Sequence, residues 1–194
     1  LAFDFVQYTN KNIFLTGKAG TGKTTFLHNL KLKSPKRMIV VAPTGVAAIN
    51  AGGVTIHSFF QLPFGPFLPL QKNSENPFHD FEDKSTTDSA KRFSREKINI
   101  IKSLDLLVID EISMVRADIL DAIDEVLRKY KNRFEPFGGT QLLMIGDLQQ
   151  LAPIAKDDEW AILKDHYENT FFFSSKALQQ TRYISIELKH IYRQ

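Results

Sequence analysis

Eight consecutive residues, Gly17-Lys18-Ala19-Gly20-Thr21-Gly22-Lys23-Thr24, have the spacing of a loop that wraps phosphate. Glycines let the backbone curl so that successive N–H groups point inward at phosphate oxygens. At this spacing the Lys23 ammonium reaches the β- and γ-phosphates of a nucleotide, and the Thr24 hydroxyl is placed to ligate Mg²⁺. Gly17, Ala19, Gly20, Thr21, Gly22, Lys23, Thr24 and Thr25 are therefore the expected nucleotide-binding residues. The bland alternative is a chance glycine turn. It is disfavoured by context, because an apolar run precedes the loop and a helical segment follows, adding the positive end of a helix dipole.

A second group lies at Asp110-Glu111, directly after the apolar run Leu106-Leu107-Val108-Ile109. Ligands in open parallel sheets sit at the carboxyl ends of the strands, so this tip is expected beside the phosphate loop. Asp110 suits a Mg²⁺ held through its water shell. Glu111 suits the orientation and deprotonation of an attacking water. Two solvated acids at a strand end are common, and only the phosphate loop tips the balance towards chemistry. A third polar tip, Gly146-Asp147-Leu148-Gln149-Gln150-Leu151-Ala152-Pro153, follows another apolar run and can touch a γ-phosphate, although a bare Gly-Asp after a strand is usually just a turn.

These groups need a scaffold that brings strand ends together. Buried strands are expected at Asn12–Thr16, Met38–Ala42, Leu106–Ile109 and Gln141–Ile145, each apolar at nearly every position, as strands covered on both faces are. A helix is expected over about Lys23–Lys33, and Ile119, Leu120, Ile123, Val126, Leu127 and Tyr130 recur at helical spacing. Phe171-Phe172-Phe173 and Ile184-Ser185-Ile186 are candidates for further strands. The alternation predicts an α/β fold with a mainly parallel sheet and helices on both faces. Residues 61–92 break the rhythm with four prolines, several phenylalanines and a polar run.

The 194 residues suffice for one substantial domain. Hydrophobic residues make up 43% and charged residues 24%, a globular profile. The formal charge of +3 permits a polyanionic partner without demanding one. There is no cysteine, which excludes disulfides, thiol catalysis and cysteine-based zinc sites. No apolar run approaches the ~20 residues of a membrane-spanning helix. Leu1-Ala2-Phe3-Asp4 shows no basic leader before an apolar core, so no secretory signal is expected.

Taken together, five blocks resemble superfamily-one DNA helicases of the five-prime-to-three-prime class, especially the PIF-type family and its RecD-like relatives. They are residues 17–25; Ala42-Pro43-Thr44-Gly45-Val46-Ala47-Ala48 with Thr55-Ile56-His57-Ser58-Phe59; Asp110-Glu111-Ile112-Ser113-Met114; residues 146–153; and Leu188-Lys189-His190-Ile191-Tyr192-Arg193-Gln194. The resemblance implies a RecA-like P-loop NTPase domain that binds ATP and Mg²⁺, with Lys23, Glu111, Gln150 and Arg193 as catalytic residues. Gln150 resembles the γ-phosphate sensor. Arg193 resembles the arginine that reaches the γ-phosphate across the cleft between two motor domains. Pro43, Thr44, Thr55, His57 and Phe59 resemble positions that line a single-strand track, where hydroxyls and a ring N–H donate to phosphates. Read without the family, His57 is a half-buried structural histidine, and Phe59 and Phe60 are either base-stacking or core residues.

The resemblance further implies a second RecA-like domain that this chain does not include, with single-stranded and forked DNA as partners. A monomer with no membrane association is expected. Its setting is intracellular, in the cytoplasm of a bacterium or in a eukaryotic nucleus or mitochondrion. Residues 61–92 are expected to be either the family's small inserted subdomain or an unstructured connector. The family's adenine-reading glutamine would precede Leu1 by spacing. Two rivals stay open: a different P-loop ATPase, of clamp-loader or transport type, and a nucleic-acid-binding module with a vestigial nucleotide site.

Overall fold

The computed structural model describes residues 1–68 and 93–192. The chain runs α1 (Ala2–Tyr8), β1 (Asn12–Thr16), α2 (Lys23–Lys33), β2 (Met38–Ala42), α3 (Gly45–Ala51), β3 (Val54–Thr55) and α4 (Ile56–Phe60). It continues with α5 (Arg95–Ser103), β4 (Leu106–Ile109), a 3₁₀ turn (Ile112–Met114), α6 (Ala117–Tyr130) and a second 3₁₀ turn (Pro136–Gly139). Then come β5 (Gln141–Gly146), α7 (Asp157–Leu163), a third 3₁₀ turn (Phe172–Ser174), α8 (Lys176–Gln179) and β6 (Tyr183–Glu187).

The six strands form one sheet in the order β3-β2-β4-β5-β1-β6, and every pairing is parallel. Parallel strands need crossovers, so helices cover both faces and the strands become apolar throughout. Side chains alternate between faces. Phe14, Val41, Leu107, Ile109, Leu142 and Met144 face one core, with α4, α5 and α6. Ile13, Leu15, Val40, Leu106, Val108, Leu143 and Ile145 face the other, with Val6 of α1 and Leu27 and Leu30 of α2. Since all strands point one way, all their carboxyl ends lie along one edge of the sheet. Register brings the tips level: Thr16 pairs with Gly146 and with Glu187, Ile109 with Met144, and Ala42 with Thr55.

The expected α/β architecture is present, as are the four buried strands, α2 and α6. Ile184–Ile186 lies within β6 at the sheet edge. Phe171–Phe173 is not a strand. Phe172 drives its ring into the core 5.4 Å from Phe14, which coils residues 172–174 into a 3₁₀ turn. Phe171 keeps only an isolated bridge to Arg116. A run of three aromatics carries high strand propensity, but one deep anchor overrides it. Most of the expected insertion at 61–92 lies outside the described residues. Among the described residues no helix is long and apolar enough to cross a membrane.

Candidate nucleotide site and nucleic-acid groove

The loop between β1 and α2 closes on itself. Thr21 is buried, and its hydroxyl donates to the Lys18 carbonyl at 2.8 Å. Lys23 folds its ammonium back over the loop, donating to the carbonyls of Gly17 at 2.5 Å and Lys18 at 3.1 Å. The ammonium is thus held at the loop by carbonyls for which a phosphate would compete. Gly17 has φ +152°, and a Cβ there would meet the Leu188 carbonyl at 2.6 Å and the Thr21 hydroxyl at 2.7 Å. Only glycine lets these segments approach so closely. Thr24 and Thr25 are exposed on the first turn of α2.

Beyond β6 the chain crosses the loop. The Leu188 N–H donates to Thr16 at 2.8 Å, and the Tyr192 N–H donates to Gly20 at 2.9 Å. A cleft of about 160 Å³ opens between Thr16, Gly17, Lys18, Asp147, Leu148, Gln149 and Glu187. Arg193 lies outside the described residues.

At the end of β4, Asp110 is held by its N–H, which donates to Val41 at 2.8 Å. Burial and the neighbouring Glu111 charge push the Asp110 carboxyl up to about 6, while an N–H from Glu111 and the Lys23 charge oppose the rise. Glu111 itself sits in the left-handed region, at φ 52° and ψ 45°. For a residue with a side chain this conformation costs about 1–2 kcal/mol. The 3₁₀ turn that follows buries Ile112 and holds Glu111 there. The Asp110 and Glu111 carboxylates and the exposed Thr24 hydroxyl are hard oxygen donors of the kind that Mg²⁺ takes. Asp110 and Thr24 are the residues that would hold it.

After β5, Asp147 is buried and accepts from the Gln149 N–H and from the Gln150 side-chain amide, both at 3.0 Å. Gln150 is exposed on that turn. Asp147, unassigned from sequence, thus orients the expected sensor. A Gly-Asp pair after a strand carries no signal for this, because the bond depends on the turn's fold.

The second group of expected residues lies further along the same edge. Thr44 caps α3, accepting from the Ala47 N–H at 3.2 Å, and Thr55 caps α4, accepting from the Ser58 N–H at 3.3 Å. Each hydroxyl keeps its own proton to donate. Pro43, Thr55, His57, Ser58, Leu62 and Phe64 line a groove of about 420 Å³. His57 is half-buried, and its pKa is lowered by burial and by the Arg116 charge, against the pull of Asp118. The ring therefore favours the neutral form. Phe59 corrects the expectation of a track residue. It is 8% exposed, packs edge-on against Phe60 at 4.9 Å and belongs to the core. The reason is the short α4, which turns both rings inward while Ser58 faces out. The aromatic that reaches the groove is Phe64.

A family model described as PIF1-like helicase matches residues 3–194. The chain is 35% identical over 188 residues to the ATP-dependent DNA helicase PIF1 of Saccharomyces cerevisiae (strain YJM789), covering 94% of this chain and 19% of that protein. It is 33% identical over 187 residues to the ATP-dependent DNA helicase PIF1 of Homo sapiens, covering 95% of this chain and 25% of that one. Among solved structures it resembles the Pif1 helicase from Bacteroides in complex with ADP-AlF3 and ssDNA. That match has a TM-score of 0.86 and 48% identity, and covers 100% of this chain and 41% of the other. A structure of two coordinating Pif1 helicases at forked dsDNA matches with a TM-score of 0.87 and 47% identity, covering 100% of this chain and 43% of that one. The chain thus spans 19% and 25% of the two curated relatives named here.

Proposed function

The chain belongs to the PIF1-like helicase family, and we propose that it is the first motor domain of a DNA helicase. In this reading ATP hydrolysis drives travel along single-stranded DNA, from five-prime to three-prime, and separates the duplex at a fork. The observation that carries it is the single parallel edge. The phosphate loop, the Asp110–Glu111 pair and the Asp147–Gln150 turn share that edge with Thr44, Thr55 and His57. Nucleotide and strand therefore bind to neighbouring strand ends of one rigid sheet.

Gly17, Ala19, Gly20, Thr21 and Gly22 present backbone donors to the phosphates, with Thr25 on the first turn of the helix behind them. Lys23 leaves the loop carbonyls for the β- and γ-oxygens. Mg²⁺ held at Thr24 and Asp110 would neutralise charge on those oxygens. Glu111 orients and deprotonates the water for in-line attack, and its strained backbone fixes the direction of the carboxylate. Gln150, held by Asp147, senses the γ-phosphate. Arg193, in the family's position, would stabilise transition-state charge and contribute a factor of roughly 10³–10⁵ once a second motor domain closes the cleft. Pro43, Thr44, Thr55 and His57 line the strand's path. This domain alone is expected to bind nucleotide weakly and to unwind nothing. A DNA substrate implies an intracellular setting, and the domain is proposed to act within a monomer.

The test is the ATPase rate of the helicase polypeptide that carries this domain, with and without single-stranded DNA, at low and high salt. Strong stimulation that fades with salt is expected of a phosphate-tracking motor. A rate indifferent to DNA would leave a P-loop ATPase of another kind.

A further inference from the structure

We propose that Phe64, backed by His57, is a stacking platform for an unpaired nucleobase on the single-strand path. The proposal deepens the helicase reading and rests on it.

Phe64 is 92% exposed. Single exposed aromatics are ordinary, so exposure alone decides nothing. What marks this ring is how it is held. It lies nearly parallel to the His57 imidazole, with centroids 5.4 Å apart and an interplanar angle of 14°. The chain behind it is clasped at two points: the Gly65 carbonyl accepts from the Arg116 guanidinium at 3.0 Å, and the Phe67 N–H donates to buried Asp118 at 2.9 Å. Arg116 in turn grips Asp118 through two bonds, at 2.9 and 2.7 Å, and reaches Glu159 at 2.7 Å. Gly65 adopts φ +109°, which turns the chain from the exposed ring back to the buried Phe67. An aromatic on a free loop would lose side-chain freedom on binding, whereas this one is already oriented.

The groove beneath supplies the rest of the site. Pro43, Thr55, His57, Ser58 and Leu62 line it with Phe64, and the Ser58 carbonyl accepts from Lys97 at 2.9 Å. An open aromatic face beside a groove that carries the Thr55 hydroxyl suits a base with its phosphate. Bases inside a duplex are stacked on both sides, whereas an unpaired base can turn its π-face to an aromatic ring. Stacking reads no sequence, as suits a motor that must pass every base.

The experiment is fluorescence anisotropy of the helicase polypeptide with a labelled oligothymidylate and with an abasic oligomer of equal length. Phe64→Ala is expected to weaken oligothymidylate binding by about 5- to 150-fold and to leave the abasic oligomer unaffected. Phe64→Trp is expected to keep wild-type affinity. Equal affinity of Phe64→Ala and wild type for oligothymidylate would overturn the platform, as would an equal loss for both oligomers. Thr55→Ala separates the two ideas. If it weakens both oligomers while Phe64→Ala weakens neither, the strand path stands and the platform falls. If wild type binds neither oligomer, the strand path fails and takes the platform with it.

Discussion

Acidic residues in this molecule occupy two contrasting settings. On α6, Asp118, Asp121 and Asp124 are all buried, yet each is enclosed by donors. Asp121 accepts from the Tyr167 hydroxyl at 2.8 Å, the Ser175 hydroxyl at 2.5 Å and the N–H groups of Lys176 and Ala177 at 3.1 and 2.9 Å. Asp124 accepts from Arg128 and from the Phe137 N–H. At the end of β4, Asp110 and Glu111 are instead sequence neighbours, and burial with the Glu111 charge pushes Asp110 up to about 6. Carboxylates that the fold satisfies hold elements together. Carboxylates that the fold leaves in mutual repulsion are suited to a cation and a water from outside.

Substitutions sharpen that contrast. The largest effect is expected at Glu111→Gln, which removes the proposed base and should slow hydrolysis by about 10²–10⁴-fold while the urea midpoint stays put. An active Glu111→Gln enzyme would remove the distinction. The reverse pattern is expected for Asp121→Ala. Four donors lose their acceptor, so urea denaturation should show a loss of about 3 kcal/mol or more, with nucleotide affinity per folded molecule unchanged.

Glu125 is the exception on α6 and gives a smaller, pH-dependent effect. One carboxylate oxygen is buried without a partner, and burial with the charges of Asp124 and Asp121 pushes the group up to about 7 from its ordinary 4.5. The native state therefore binds this proton more tightly than the unfolded chain. Its contribution to stability is full below about 4.5 and is lost as pH rises through about 7. Glu125→Gln should gain about 1 kcal/mol at pH 8, allowing for solvent screening, and nothing at pH 4. Denaturation curves at the two pH values check it, and an equal gain at both would refute the titration. The smallest effect is expected at Glu111→Gly, where relief of the left-handed strain should raise stability by about 0.5 kcal/mol in an inactive enzyme.

How much was legible in the sequence follows the range of the interactions. Buried parallel strands announce themselves through continuous apolar runs, so Met38–Ala42 and Leu106–Ile109 were plain, and the glycine spacing marked residues 17–24. Short α3 and α4 carry too few turns for a period to emerge, and their caps at Thr44 and Thr55 were visible only as motif residues. Phe59 and Phe64 show the limit most clearly. Both are aromatics near His57, and nothing local says which turns inward. That choice is made by α4 packing and by a clasp from Arg116 and Asp118, far away in sequence. The Glu111 backbone and the Asp147–Gln150 bond likewise depend on the folded turn.

The strand order has a bearing on how the protein is made. β1, which carries the phosphate loop, finds its neighbours only in β5 and β6, so Asn12 waits for Tyr183. Of this domain's motifs, the first to be synthesised is thus among the last to be finished. Such long-range pairing slows folding and exposes strand edges meanwhile. A nascent chain synthesised only as far as β5 has no Leu188 carbonyl against Gly17, so the phosphate loop lacks that wall until β6 and the residue after it have been made.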